Sequence, residues 1–211
     1  MISRLHYISQ ETDGKSHVQN IEEACKAGVD WVQLRIKNKT DDEILEIATL
    51  AKEVCKKYKA KLIINDHVHI AKKVKANGVH LGLTDMHPKE AREILGDRPI
   101  IGATANTWED VERLAMEQID YIGLGPFRET DTKSNLSPVL GLKGISAILN
   151  QMIIHDIFMP IIAIGGIQTE DVFDLQLSGC HGVAIASLIN YADNKKETVN
   201  DIKYCLPDAE F

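Results

Sequence analysis

Gln33, Arg35 and Lys37, spaced two apart, run through and past an apolar stretch that starts at Trp31. Side chains alternate faces along a strand, so a strand here puts Val32, Leu34 and Ile36 on one side and the polar trio on the other. Two cations on the inner face of a packed sheet are costly unless an anion meets them. That anion could be an internal carboxylate. It could also be a bound phosphate, which the planar fork of an arginine grips well.

Carboxylates follow at two nearby places. A third apolar run ends in Asn65-Asp66, and Asp85 comes just after a fourth. Neighbouring strands lie about 4.8 Å apart, so both carboxylates can reach one point. Two hard oxygen ligands facing a diphosphate make a magnesium site, with water and substrate oxygens completing the shell. Taken singly, either Asp could instead be a turn or cap residue, and Asp66 could cap the next helix. His67, His69, His80 and His87 crowd the same stretch. A histidine metal site is the weaker idea, because His67 and His69 do not share a helical face and coordination needs converging ligands.

Two further segments suit phosphate. Thr130-Asp131-Thr132-Lys133 offers hydroxyls, backbone N–H groups and an ammonium in four residues. Ile164-Gly165-Gly166-Ile167 closes a later apolar run, with Thr169 as a possible helix cap beyond it and Ser187 at the end of the last run. Glycines let backbone approach a ligand closely. Plain tight-turn glycine remains the simpler account of that run.

The elements that must position these residues alternate regularly. The runs LHYIS, WVQLRI, KLIIND, VHLG, PIIGATA, YIGLGP, PIIAIGG and GVAIAS read as strands. Amphipathic stretches such as DDEILEIATLAKEVCKKY and WEDVERLAMEQI lie between them and read as helices. Strand–helix alternation implies parallel pairing. Eight such units in 211 residues suit one (β/α)₈ barrel over residues 1–211 better than a doubly wound sheet, which is the alternative. In such barrels the C-terminal strand ends carry the site, and that is where all these residues fall. The long polar segment FRETDTKSNLSPVLG, after the sixth run, belongs there too.

Composition narrows the function. Hydrophobic residues make up 44% and charged residues 26%, an ordinary globular balance. A net charge of −7 disfavours nucleic acid and membrane surfaces as partners, while a few cations in a cleft can still hold anionic small molecules. The scattered Cys25, Cys55, Cys180 and Cys205 show no framework spacing. With no signal-like start, this points to reduced thiols and a cytoplasmic protein. Oligomeric state is left open, a homo-oligomer included.

The ordered motifs resemble the thiamine-phosphate synthase family over nearly the whole chain: QLRIK at Gln33 to Lys37, IIND ending at Asp66, GVHLG followed by Asp85, GATANT, GP with TDTK, SPVLGL, IAIGGI and AIAS. The resemblance implies a condensation of an aminopyrimidine diphosphate with a thiazole phosphate, giving thiamine phosphate and pyrophosphate. It implies that Gln33, Leu34, Arg35, Ile36 and Lys37, with Asn65, Thr104 and Lys133, bind the pyrimidine diphosphate. Arg35, Lys37 and Lys133 would carry the catalytic charge. Thr130, Asp131, Thr132, Gly166, Ala186 and Ser187 would bind the thiazole phosphate, and Asp66 and Asp85 one Mg²⁺. Leu83, Asn106 and Arg128-Glu129 depart from the usual pattern, and Thr104 replaces a serine. A thiazole tautomerase and a non-catalytic phosphate-ligand sensor are the rival functions on the same fold.

Overall fold

Ser16 with Gln19, Thr40 with Glu43, and Thr107 with Asp110 form reciprocal capping boxes, and each opens a helix. Such a cap is worth about 1 kcal/mol and marks where a loop must stop. The computed structural model describes residues 1–129 and 138–207. Its helices are α1 (His17–Lys26), α2 (Asp41–Lys57), α3 (Val68–Lys73), α4 (Pro88–Leu95), α5 (Trp108–Ala115), α6 (Gly141–Ile154), α7 (Thr169–Leu177), α8 (Ser187–Asn190) and α9 (Lys195–Tyr204). Thr169 is the first residue of α7 rather than its cap. Gln168 holds the cap position, and its backbone N–H donates to Asp171.

The strands are β1 (Leu5–Ile8), β2 (Trp31–Leu34), β3 (Lys61–Asn65), β4 (Gly78–Leu81), β5 (Ile100–Ala105), β6 (Tyr121–Leu124), β7 (Ile161–Ile164) and β8 (Gly182–Ile185). They pair in parallel in chain order, and β8 returns to β1. The result is a closed (β/α)₈ barrel, not an open doubly wound sheet. Every expected strand is present, and all but β5 are shorter at the C-terminal end than the apolar run suggested. Those last residues leave the ladder to form the mouth.

Strand alternation sorts the core into two layers. Val32, Leu34, Leu62, Ile64, Val79 and Leu81 face outward into the layer shared with the helices. Ile8, Trp31, Ile63, Tyr121, Ile162 and Ala184 fill the barrel itself. Large rings fit inside because glycines stand opposite them. A Cβ on Gly102 would lie 2.1 Å from the Tyr121 ring, and one on Gly123 would lie 2.9 Å from His80. His6 stacks on Trp31 at 4.3 Å between ring centres, and Tyr121 meets both rings edge-on. His80 stacks on Tyr121 at 5.5 Å, so the rings climb from the floor of the barrel toward its mouth.

Candidate active site

At the end of β2 the alternation runs as expected. Gln33 is buried inside the barrel, Arg35 is half-buried and Lys37 is exposed. Leu34 and Ile36 pack outward into the helix layer, so those two could offer a ligand only backbone. Two residues that sequence reasoning missed hold this strand end in place. The Ser9 hydroxyl accepts from the Arg35 backbone N–H at 3.3 Å and pairs with His17 Nδ1 at 2.9 Å. Both are buried polar residues, Ser9 just past β1 and His17 at the start of α1, a combination detectable in sequence only once the β1 end is known to face the mouth. Burial lowers the pKa of Arg35, and nearby Asp66 partly offsets this. Burial is also the main cause that lowers Lys37, with Arg35 adding to it.

Asp66 does not cap α3. The residue at the cap position is His67, which makes no side-chain cap bond. Asp66 adopts a φ of 63°, in the left-handed region that Asp tolerates better than most residues. Its backbone N–H reaches back to His80 O at 2.9 Å, and its carboxyl turns into the mouth to share a hydrogen bond with Asp85. Asp85 is itself anchored, accepting from the Gly82 N–H at 2.7 Å. Burial and the facing Asp85 push Asp66 up to about 7, with Arg35 pulling the other way. Two carboxylates this close want a shared proton or a shared cation. This suits a divalent metal, because the pair offers hard oxygens and lacks only positive charge. Among the described residues no group of three or more His, Cys, Asp or Glu side chains could hold a metal, so substrate and water would have to supply the rest of the shell.

The nearby histidines diverge. His67 Nδ1 is 3.6 Å from Asp41, while His87 caps α4 and lies 3.4 Å from Glu117. His69 is exposed, and His80 is inside the barrel. Asn65 is buried at the end of β3 beside His80, its partner in the ladder. Thr104 is buried at the end of β5 with its hydroxyl 3.0 Å from His80 Nε2. A recess lined by Gly82, Leu83, Asp85, Ala103 and Thr104 lies between the ends of β4 and β5, with Pro88 of α4 and Arg113 and Leu114 of α5 on its outer side. The departing residues find local roles. Asn106 donates its side-chain amide to the Gly125 carbonyl, tying β5 to β6 at the mouth. Leu83 is an exposed wall of the recess.

The opposite side of the mouth is built from backbone. Gly165 and Gly166 have φ of 102° and 66°, and a Cβ on either would strike the chain between Pro126 and Arg128 within 2.9 Å. That chain is held by bonds from Phe127 N to Ile164 O and from Arg128 N to Gly165 O, at 2.8 and 2.9 Å. Arg128 also donates to the Gly166 carbonyl at 2.9 Å and grips Asp171 with both guanidinium arms. This clamp was not expected from the sequence, since 43 residues separate the pair. Ala186 precedes α8 and Ser187 opens it, exposed, with its hydroxyl 3.4 Å from Gln10 Oε1. The expected ligands Thr130, Asp131, Thr132 and Lys133 lie outside the described residues.

Cations, a carboxylate pair and a glycine turn around the C-terminal mouth of a (β/α)₈ barrel define a class: barrels that bind phosphorylated small molecules. Comparison with known proteins narrows it. The family described as "Thiamine monophosphate synthase" matches residues 5–189. A thiamine-phosphate synthase of Flavobacterium johnsoniae is 45% identical over 202 residues, covering 96% of this chain and 95% of the relative. One from Bacteroides fragilis is 44% identical over 198 residues, covering 94% and 97%. A solved thiamine phosphate pyrophosphorylase from Pyrococcus furiosus superposes with a TM-score of 0.83 at 28% identity, covering 96% and 95%. The chain belongs to the thiamine monophosphate synthase family, and its activity is thiamine-phosphate synthesis, a group transfer.

Proposed function

We propose that this chain joins an aminopyrimidine-methyl diphosphate to a thiazole phosphate at a Mg²⁺-bearing mouth. The observation that carries the reading is the Asp66–Asp85 carboxyl pair beside Arg35. In the reaction the C–O bond to diphosphate breaks and its electron pair leaves with the pyrophosphate. The remaining cation is stabilised by the electron-rich aminopyrimidine, and the thiazole nitrogen supplies the pair for the new C–N bond. No protein nucleophile is required.

Each residue then has one task. Asp66 and Asp85 would hold Mg²⁺, which when bound neutralises charge on the diphosphate oxygens. Arg35, Lys37 and Lys133 place fixed positive charge where leaving-group charge grows. Gln33, Asn65 and Thr104 orient the pyrimidine ring, with Leu34 and Ile36 contributing backbone. Thr130, Asp131, Thr132, Gly166, Ala186 and Ser187 hold the thiazole phosphate, so that its nitrogen faces the reacting carbon and gains from proximity. Residues 1–211 act as one catalytic unit on small phosphorylated molecules in the cytoplasm. No helix among the described residues is long and apolar enough to cross a membrane. A tautomerase of this fold would need an acid–base residue and has no use for a paired metal carboxylate. Incubation with both substrates and Mg²⁺ should yield thiamine phosphate and stoichiometric pyrophosphate. Isomerised thiazole phosphate without condensation would replace this reading by the tautomerase.

A further inference from the structure

Arg128, just past β6, and Asp171, in the first turn of α7, meet behind the glycine turn. Arg128 Nη2 donates to Asp171 Oδ1 at 2.6 Å. Its Nη1 is shared between Asp171 Oδ2 and the Gly166 carbonyl, the latter at 2.9 Å. The Arg128 backbone N–H donates to the Gly165 carbonyl at 2.9 Å. Asp171 is braced in turn by the Gln168 N–H at 2.8 Å. Chemistry alone sets the direction of every one of these bonds. A guanidinium and a backbone N–H only donate, and a carbonyl and a carboxylate only accept.

Two successive carbonyls, those of Gly165 and Gly166, are thus drawn to one residue on the β6 side of β7. In a trans peptide the N–H points opposite to the carbonyl. The N–H groups of Gly166 and Ile167 therefore turn away from Arg128, toward the β8 side, where Ser187 opens α8. Neither donates to a backbone carbonyl among the described residues. Successive N–H groups in a turn form a concavity that takes an anion. We propose that Arg128, braced by Asp171, is a positioning residue that aims the Gly166 and Ile167 N–H groups at the thiazole phosphate and so sets the preference for a phosphorylated thiazole over its free alcohol. This rests on the reading above that Gly166 and Ser187 meet that phosphate. Without the clamp the peptide between Gly166 and Ile167 can rotate and present its carbonyl to the anion, oxygen against oxygen. Arg128 acts through the turn, because both arms of its guanidinium are already engaged.

Arg128→Met removes the donors and keeps an unbranched apolar stem. The measurement is kcat/KM for the thiazole phosphate and for the free thiazole alcohol, with the pyrimidine diphosphate KM and the melting temperature alongside. The ratio of the two kcat/KM values should fall about tenfold or more, the scale of one hydrogen bond to a charged partner. The value for the alcohol and the KM for the pyrimidine diphosphate should stay unchanged. Asp171→Asn keeps the shape and an oxygen for the Gln168 N–H, and carries the test if Arg128→Met does not fold. It should lower the ratio by a smaller factor. A raised ratio would make Asp171 merely a negative charge near the phosphate and overturns the positioning role. Equal losses with both thiazoles in a folded variant, or an unaltered ratio even with a lowered melting temperature, overturn it too. The parent and Ser187→Ala separate the two levels. If the parent turns over both thiazoles alike, the phosphate pocket itself is placed wrongly and the proposal falls with it. If Ser187→Ala lowers the ratio while Arg128→Met does not, the pocket stands and the positioning role falls.

Discussion

At the ends of β2, β3 and β4 the mouth is made by charged side chains, whereas at the ends of β7 and β8 it is made by backbone. Arg35, Asp66 and Asp85 crowd together on the first side, with Asp66 held in a left-handed turn and pushed toward protonation. On the second side the glycine turn is fastened by main-chain bonds and by the Arg128–Asp171 clamp. One half stores electrostatic stress that only a ligand relieves. The other is already satisfied and offers N–H groups and a hydroxyl. On the proposed assignment of the two halves, the difference teaches that the two substrates would be handled by different physics: charge neutralisation for the group that leaves, positioning for the group that attacks.

The largest expected effect falls on the charged half. Asp66→Ala and Asp85→Ala should each lower kcat by about 10²-fold or more, a few kcal/mol of transition-state stabilisation. Circular dichroism should show the fold intact. Full turnover in excess EDTA would break the comparison at its root, because the charged half would then need no cation. Next, Arg35→Ala should cost roughly 2–4 kcal/mol in kcat/KM, as for loss of one preorganised donor. A variant that unfolds, with its folded fraction turning over normally, would make Arg35 a structural partner of Asp66 instead.

The backbone half predicts a smaller and more selective effect. A hydroxyl bonded to a charged phosphate is worth about 1.5–3 kcal/mol, so Ser187→Ala should raise the KM for thiazole phosphate about 10-fold or more. The KM for the pyrimidine diphosphate should barely move. Lys133→Ala should do the reverse, with the greater loss in kcat because leaving-group charge grows in the transition state. Varying each substrate in turn distinguishes them, and equal effects of Ser187→Ala on both would show that the halves are not separate pockets.

The two halves were not equally legible in the sequence. Period-two alternation at Gln33, Arg35 and Lys37 names both the face and the chemistry, because two inward cations have few cheap explanations. Strand adjacency was enough to bring Asp66 and Asp85 together. The cap alternative for Asp66 could be dismissed only by seeing its turn, since a single Asp before a helix looks the same either way. The glycine turn was visible as a turn, but its fastening was not. Arg128 and Asp171 are far apart in the chain, and an ion pair leaves no periodic trace. Tyr121 and His80 were hidden for a related reason: their place inside the barrel depends on Gly102 and Gly123 standing opposite, a cross-strand match that exists only after the barrel closes.

The smallest predicted effect concerns stability and tests the idea of stress on one half alone. In the unfolded chain the Asp66 carboxyl ionises near its ordinary 3.8, while in the metal-free fold it holds its proton up to about 7. Between those values the folded state binds the extra proton, so raising the pH through that window destabilises the fold. Below the window the penalty is absent, and above it the full penalty is present. Asp66→Asn keeps the shape and removes the charge. In EDTA at pH 8 it should therefore raise the melting temperature by at least about 2–4 °C, the shift for 1 kcal/mol in a domain of this size, while abolishing activity. At pH 4 the variant and the parent should melt nearly together. Saturating Mg²⁺ should raise the melting temperature of the parent at pH 8 and leave that of Asp66→Asn almost unmoved, because a ligand stabilises only the state that binds it. The matching change on the other half, Arg128→Ala, strips Asp171 of its partner and should lower the melting temperature at pH 8 with no response to Mg²⁺. If Asp66→Asn also destabilises at pH 8, the carboxyl pair is a structural hydrogen bond rather than a site waiting for charge, and the contrast between the halves disappears.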